Sequence, residues 1–190
     1  MMKKTLKTIQ KEDSKIRILN VASRLFKRQG YRATGIDQLM AEAGLTAGAF
    51  YAHFKSKEDL LEQSLQHALL FSKSLLVKDG ESLTGRAKTE FFLKKYCSVG
   101  HRDFPDRGCV LPALASEIYH GTQRTNHLIA NYIDKWSQMI AESIDEELSV
   151  SEKKELALQI ISRSVGAVLL SRIVKETDLS EQILSAAQKF

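Results

Sequence analysis

The sequence predicts an all-α protein of roughly nine helices. Three observations carry that prediction. Apolar residues recur at i, i+3, i+4, i+7 spacing along most of the 190 residues. Aliphatic residues are abundant while proline occurs only twice, and proline breaks helix interiors. Glycines fall between the periodic segments, where helices stop.

Residues 1–13 carry Lys3, Lys4, Lys7 and Lys11 with little hydrophobic pattern, which predicts a mobile basic arm. Asp13 or Ser14 can cap the first helix, whose buried face is Ile18, Leu19, Ala22, Leu25 and Phe26 and whose stop is Gly30. Thr34 stands in the N-cap region of the second helix. Ile36, Leu39, Met40 and Ala43 form its inward face, and Gly44 ends it in the left-handed conformation. Leu45 plugs the turn, and Thr46 caps a third helix over 47–53. Two helices joined by a short glycine-containing turn have the grammar of a DNA-reading helix-turn-helix.

Ser56 to Asp59 reads as a capping-box variant opening a long helix that reaches about Lys78. Leu60, Leu61, Leu65, Ala68, Leu69, Leu75 and Leu76 are its stripe, and Asp79-Gly80 ends it. A helix follows over 84–100, then a loop to Gly108 containing Phe104-Pro105. A short helix to Ile118 has Pro112 in its first turn. Gly121 precedes a long helix over 122–147. Ser151 is read as the cap of the next, which is apolar nearly all round from Ile160 to Leu170, and 179–190 gives the last. A helix apolar on both faces needs cover on both. One face can pack on its own domain; the other calls for a second copy.

The net charge of +5 is unevenly placed. Residues 1–60 hold twelve Lys and Arg against six Asp and Glu; the rest hold sixteen against seventeen. The whole positive excess therefore accompanies the helix-turn-helix, as a phosphate-binding surface requires. Two cysteines, Cys97 and Cys109, without a C-x-x-C fit a reducing cytoplasm. No zinc-ligand spacing, P-loop or dinucleotide fingerprint is present, so neither enzyme, metal nor cofactor is expected. No apolar run of roughly 18 residues and no secretory h-region is read, so no membrane partner is expected.

Gly30-Tyr31, Thr34, Ala43-Gly44-Leu45-Thr46, Gly48, Phe50-Tyr51, His53-Phe54 and Ser56-Lys57-Glu58 together resemble the DNA-binding signature of the tetracycline-repressor (TetR, AcrR-like) family of bacterial regulators. The resemblance implies a DNA-binding domain over 1–56 and an effector-binding and dimerisation domain over 57–190. It implies phosphate contacts by Tyr51, His53 and Lys57. The DNA surface is expected to comprise Thr34, Thr46, Ala47, Gly48, Tyr51, His53, Lys55 and Lys57. The small residues there admit the backbone to the groove but cannot make bidentate bonds to bases. Where the family usually has a second hydroxyl residue after Thr34, this chain has Gly35, which removes one possible phosphate bond.

A single short reading helix offers little contact, so a two-fold dimer on a near-palindromic operator is expected. Its interface is placed at Ile161, Val165, Val168, Leu169, Ile183, Leu184 and Ala187. The resemblance further implies an effector cavity in the middle of the chain. Phe71, Phe92, Tyr96, Phe104, Cys109, Glu117, Tyr132 and Trp136 are its candidate lining. The function expected is that of a repressor released from double-stranded DNA by a small lipophilic molecule. The alternatives are a thiol-responsive regulator using Cys97 or Cys109, and an activator without an effector.

Overall fold

The computed structural model describes residues 6–77, 80, 82–144 and 147–189, with side chains described from residue 8 onward except for 70–79. The described residues form nine α-helices, two 3₁₀ turns and no strand. α1 spans Leu6–Gln29, α2 Ile36–Glu42 and α3 Lys57–Val77, with the first 3₁₀ turn, Ala47–Ala52, between α2 and α3. The rest is α4 (Gly85–Tyr96), α5 (Val99–Asp103), a 3₁₀ turn (Pro105–Arg107), α6 (Leu111–Tyr119), α7 (Gln123–Ala141), α8 (Val150–Ile173) and α9 (Leu179–Ala187).

The N-terminal helices close on one core. Ile18, Ala22 and Leu25 of α1, Leu39 and Met40 of α2, Phe50, and Leu60 and Leu65 of α3 are all buried. α1 lies along α3 and also meets α6 and the Pro105–Arg107 turn. The body is organised on α8, which packs against α7 on one side and α9 on the other.

Several boundaries differ from the sequence reading. α1 begins at Leu6, so residues 6–13 of the expected arm are helix. No proline or glycine interrupts them, and Leu, Gln, Lys and Glu are strong helix formers. The cap of α2 is Gly35, while Thr34 is fully buried one residue earlier. The segment 84–100 is not continuous. Cys97 leaves the helical region at ψ 52, and Ser98 caps α5 by accepting from the His101 N–H at 3.2 Å. α7 stops at Ala141 rather than near Glu147. The cap of α8 is Ser149, not Ser151, because Glu152 lies three residues on and closes a full capping box. By length and composition α8 alone among the described helices could cross a membrane, contrary to the absence read above. Arg163 stands exposed near its middle, and its buried face is filled by neighbouring helices.

Candidate nucleic-acid interface

α2 ends in a Schellman motif. The Leu45 N–H donates to the Met40 carbonyl at 2.9 Å and the Gly44 N–H to Ala41 at 3.0 Å, with Gly44 at φ +66. This fixes the angle at which the chain enters residues 46–53. The reading segment is a 3₁₀ turn, Ala47–Ala52, rather than the regular helix expected. Its His53 and Ala49 amides donate three residues back, to Phe50 and Thr46.

Two rings hold the turn from beneath. Phe50 and Phe54 are buried, with centroids 5.7 Å apart. Ala49 is half-buried against the same core, while Thr46, Ala47, Gly48 and Ala52 are exposed and Tyr51 is 72% exposed. A tyrosine anchored edge-on to Phe50 at 5.2 Å, with its hydroxyl in solvent, is a rigid polar tip. A Cβ built at Gly48 meets nothing within 4 Å, and its φ is not in the left-handed region. Nothing inside the chain requires glycine there; close approach by an outside body would.

The other expected DNA residues fall differently. Thr34 is fully buried, its hydroxyl donating to the Gly30 carbonyl at 2.7 Å and accepting from Gln29. Thr34 therefore braces the α1–α2 corner and is not available to DNA, which corrects its assignment. Lys55 is exposed. Lys57 sits 4.5 Å over the Tyr31 ring and donates to the Arg32 carbonyl at 3.4 Å; burial lowers its pKa, with Glu58 and Glu117 opposing. Tyr31 in turn donates to Glu58 at 3.1 Å, and burial followed by Glu58 raises its pKa to about 12. His53 is half-buried, and its Nδ1 has no hydrogen-bond partner among the described residues. Burial lowers its pKa, and the neighbouring Lys11 and Lys15 add to the shift.

The expected effector lining divides. Phe92, Tyr96, Tyr132 and Trp136 gather around Trp136, at centroid distances of 5.5 Å from Phe92, 5.5 Å from Tyr96 and 5.8 Å from Tyr132. The Cys109 thiol neighbours the Tyr96 and Tyr132 hydroxyls. Tyr96 Oη and Trp136 Nε1 are buried without a hydrogen-bond partner of ordinary geometry among the described residues. A cavity of about 30 Å³ opens beside Phe92, with Thr89, Met139, Ile140 and Ser143 in its wall.

Phe104 is not in this group. It is 51% exposed, under the Arg107 guanidinium at 5.2 Å. Glu117 is elsewhere too, accepting from the Tyr31 N–H at 2.8 Å and the Arg32 N–H at 2.9 Å. It therefore ties α6 to the α1–α2 corner, a role that sequence spacing across 86 residues could not reveal. Phe71 lies outside the described side chains. His101, which the sequence offers only as a companion to Cys97 and Cys109 in the thiol alternative, packs edge-on against Tyr96 at 4.5 Å. Its Nδ1 lies 2.7 Å from the Tyr96 carbonyl and its Nε2 accepts from the Cys109 N–H at 2.9 Å, which fixes the Nδ1–H tautomer.

Of the expected dimer residues, Ile161, Val168, Leu184 and Ala187 are buried within the chain, joining α8 to its own neighbours. Val165 and Ile183 are half-buried and Leu169 is exposed. The outward large apolar residues of α8 are Val150, Leu158, Leu169, Leu170 and Ile173, of which only Leu169 was expected. A 3.6-residue period sends successive residues to different faces, so a run of apolar positions cannot all serve one contact.

The family model described as bacterial regulatory proteins, tetR family, matches residues 18–63. The uncharacterized HTH-type transcriptional regulator YerO of Bacillus subtilis (strain 168) is 35% identical over 105 residues, which are 55% of this chain and 36% of that protein. YxaF of the same organism, also named an HTH-type transcriptional regulator, is 28% identical over 167 residues, 86% of this chain and 87% of that protein. The chain thus spans about a third of the first relative's length and most of the second's. A transcriptional regulator from Saccharomonospora viridis, solved in complex with choline, superposes with a TM-score of 0.76 at 20% identity, covering 93% of this chain and 94% of that one. At that identity the likeness speaks to the fold.

Proposed function

We propose that the chain is a transcriptional regulator of the TetR family, whose model matches residues 18–63, and that it acts as a dimeric repressor released from a near-palindromic operator by a small lipophilic effector. The division proposed is a DNA-binding head over 1–56 and an effector-binding and dimerisation body over 57–190. The observation that carries the DNA role is the row Thr46, Ala47, Gly48, Tyr51 and Ala52, exposed on a turn held rigid by Phe50 and Phe54. Affinity comes mainly from phosphate contacts by Tyr51, His53, Lys55 and Lys57, because the small residues cannot read base edges bidentately. Sequence preference then rests on methyl contacts and DNA shape. A DNA-bound regulator works where the DNA is, in the cytoplasm of a bacterium.

The second copy docks on α8, where Leu158, Leu169, Leu170 and Ile173 stand in solvent. Gly166, at which a Cβ would meet nothing within 4 Å, lets a second backbone approach. The effector enters the aromatic group around Trp136. The cavity of about 30 Å³ beside Phe92 is the opening from which an effector would part the rings. The buried Tyr96 hydroxyl and Trp136 N–H favour a largely apolar molecule with a hydrogen-bond acceptor. Release requires that the effector prefer the non-DNA state, by about 1–3 kcal/mol in typical couplings. A thiol switch is less well supported, since burial raises the pKa of both Cys97 and Cys109 and leaves little reactive thiolate.

Gly48→Ala tests the DNA role directly. The protein should keep its stability or gain up to about 1 kcal/mol, while affinity for duplex selected from random sequence falls. Equal affinity for both proteins would remove Gly48 from the interface. Light scattering at micromolar concentration should give twice the chain mass; a monomer there would sink the dimer.

A further inference from the structure

We propose that the N-terminal turns of α1 form part of the DNA interface, with Lys11 and Lys15 extending the phosphate-binding surface beyond His53. The inference rests on the DNA role proposed above and adds residues that neither the motif nor its resemblance supplies.

Three observations support it. First, α1 begins at Leu6, so Lys11 and Lys15 are carried on regular helix rather than on an arm. They are four residues apart and share one face. Second, that face adjoins the reading segment. Lys15 Nζ lies 5.7 Å from the centroid of Phe54, the ring that anchors the segment next to His53. Both ammonium groups are close enough to His53 to disfavour its protonation. Third, neither lysine forms an ion pair among the described residues. The facing carboxylate from α3, Asp59, accepts instead from the Lys55 N–H at 2.9 Å and from Gln63 at 2.8 Å.

Two ammonium groups on one helix face repel one another, and both disfavour a proton on the neighbouring His53. They become favourable together when a polyanion lies across them, and duplex phosphate is the anion this surface is shaped to meet. Tyr51 and Gly48 reach into the groove, while Lys11 and Lys15 meet the backbone at its edge. Lys15 is half-buried over Phe54 and Lys11 is exposed beside it, which suits a phosphate contact that tolerates any base sequence.

The test is the salt dependence of binding, measured with a mixed-sequence duplex of about three helical turns and wild type beside the Lys11→Ala/Lys15→Ala double variant. Each lost phosphate contact lowers the slope of log K against log salt by about 0.9, so the double variant should lose about 1.8 per engaged head. That corresponds to roughly a sixty-fold loss at 0.1 M salt, closing toward none near 1 M. The Lys11→Arg/Lys15→Arg variant should keep the slope, and all three proteins should melt together. An unchanged slope in the alanine variant, while Lys55→Ala lowers it, would overturn the α1 contact and leave the head's DNA role standing. A wild type with no salt-dependent retention on any duplex would overturn both.

Discussion

Two tyrosines mark the difference between the head and the body. Tyr51 is 72% exposed; Tyr96 is 1% exposed, with its hydroxyl buried beside the Cys109 thiol and without a hydrogen bond of ordinary geometry among the described residues. In the head, polar function is carried outward on a turn whose buried neighbours only hold it still. In the body, polar atoms are held inside an aromatic group. The proposed surface site is thus built from small residues and one exposed tyrosine, while the proposed interior site would draw its specificity from buried donors. The connection between the two is short. Glu117 of α6 holds the Tyr31 and Arg32 amides, and Lys27 of α1 donates to the Gly108 carbonyl just before α6 at 3.1 Å.

Breaking the head from beneath should have the largest effect. Phe50→Ala removes a fully buried ring and should cost about 3–5 kcal/mol, lost together with DNA binding in a thermal melt followed alongside duplex retention. A melt unchanged within error would show that the turn is not held by that ring.

The body carries its own pH response through His101. Burial, opposed by the Tyr96 carbonyl and reinforced by Arg172 and Lys27, lowers the His101 pKa from 6.5 to about 4. The unfolded chain therefore binds the proton more readily. The stabilisation is complete above about pH 6.5 and is lost as the pH falls toward 4, by roughly 3 kcal/mol in all. Urea midpoints across that window should fall less steeply in His101→Gln than in wild type. Parallel curves would remove His101 as the cause.

Cutting the joint should cost less. Glu117→Gln weakens two charge-assisted bonds to backbone amides and should destabilise by about 1–2 kcal/mol. If Glu117 also relays the effector, the variant should keep more of its DNA when effector is added than wild type does. A variant matching wild type in melt and in release would leave Glu117 a surface contact. Tyr51→Phe is the smallest change: stability within about 0.5 kcal/mol of wild type, duplex affinity five- to tenfold weaker for the loss of about 1 kcal/mol, and an unaltered salt slope because the hydroxyl is neutral. Unchanged affinity would show that the tyrosine touches the groove without bonding.

Much of the head could be read in the sequence because its signals are local. The Gly44 stop, the Phe50 and Phe54 anchors and the Ser56 to Asp59 cap each depend on residues within one or two turns. The cap forms as read, with the Asp59 N–H donating to Ser56 at 3.2 Å. Thr34 misled because a hydroxyl residue beside a helix start can cap outward or brace inward, and only the packing of α1 on α2 chooses. Lys11 was passed over because charge without periodicity reads as an arm.

The body was less legible for the same reason. Sequence collected its aromatic residues but could not tell that Phe92, Tyr96, Tyr132 and Trp136 meet while Phe104 faces solvent. Nor could it separate the inward Ile161 and Val168 from the outward Leu170 and Ile173 on one nearly uniformly apolar helix.

The sequence by itself determined the all-helical class, the helix-turn-helix and the side of the chain that bears positive charge, because helix period, glycine stops and charge are written within a few residues. Only the tertiary structure decided that Glu117 joins α6 to the head, that His101 is locked between Tyr96 and Cys109, and that α1 brings Lys11 and Lys15 beside His53. Those are contacts between helices, and a helix's own period says which residues share a face but not what that face will meet.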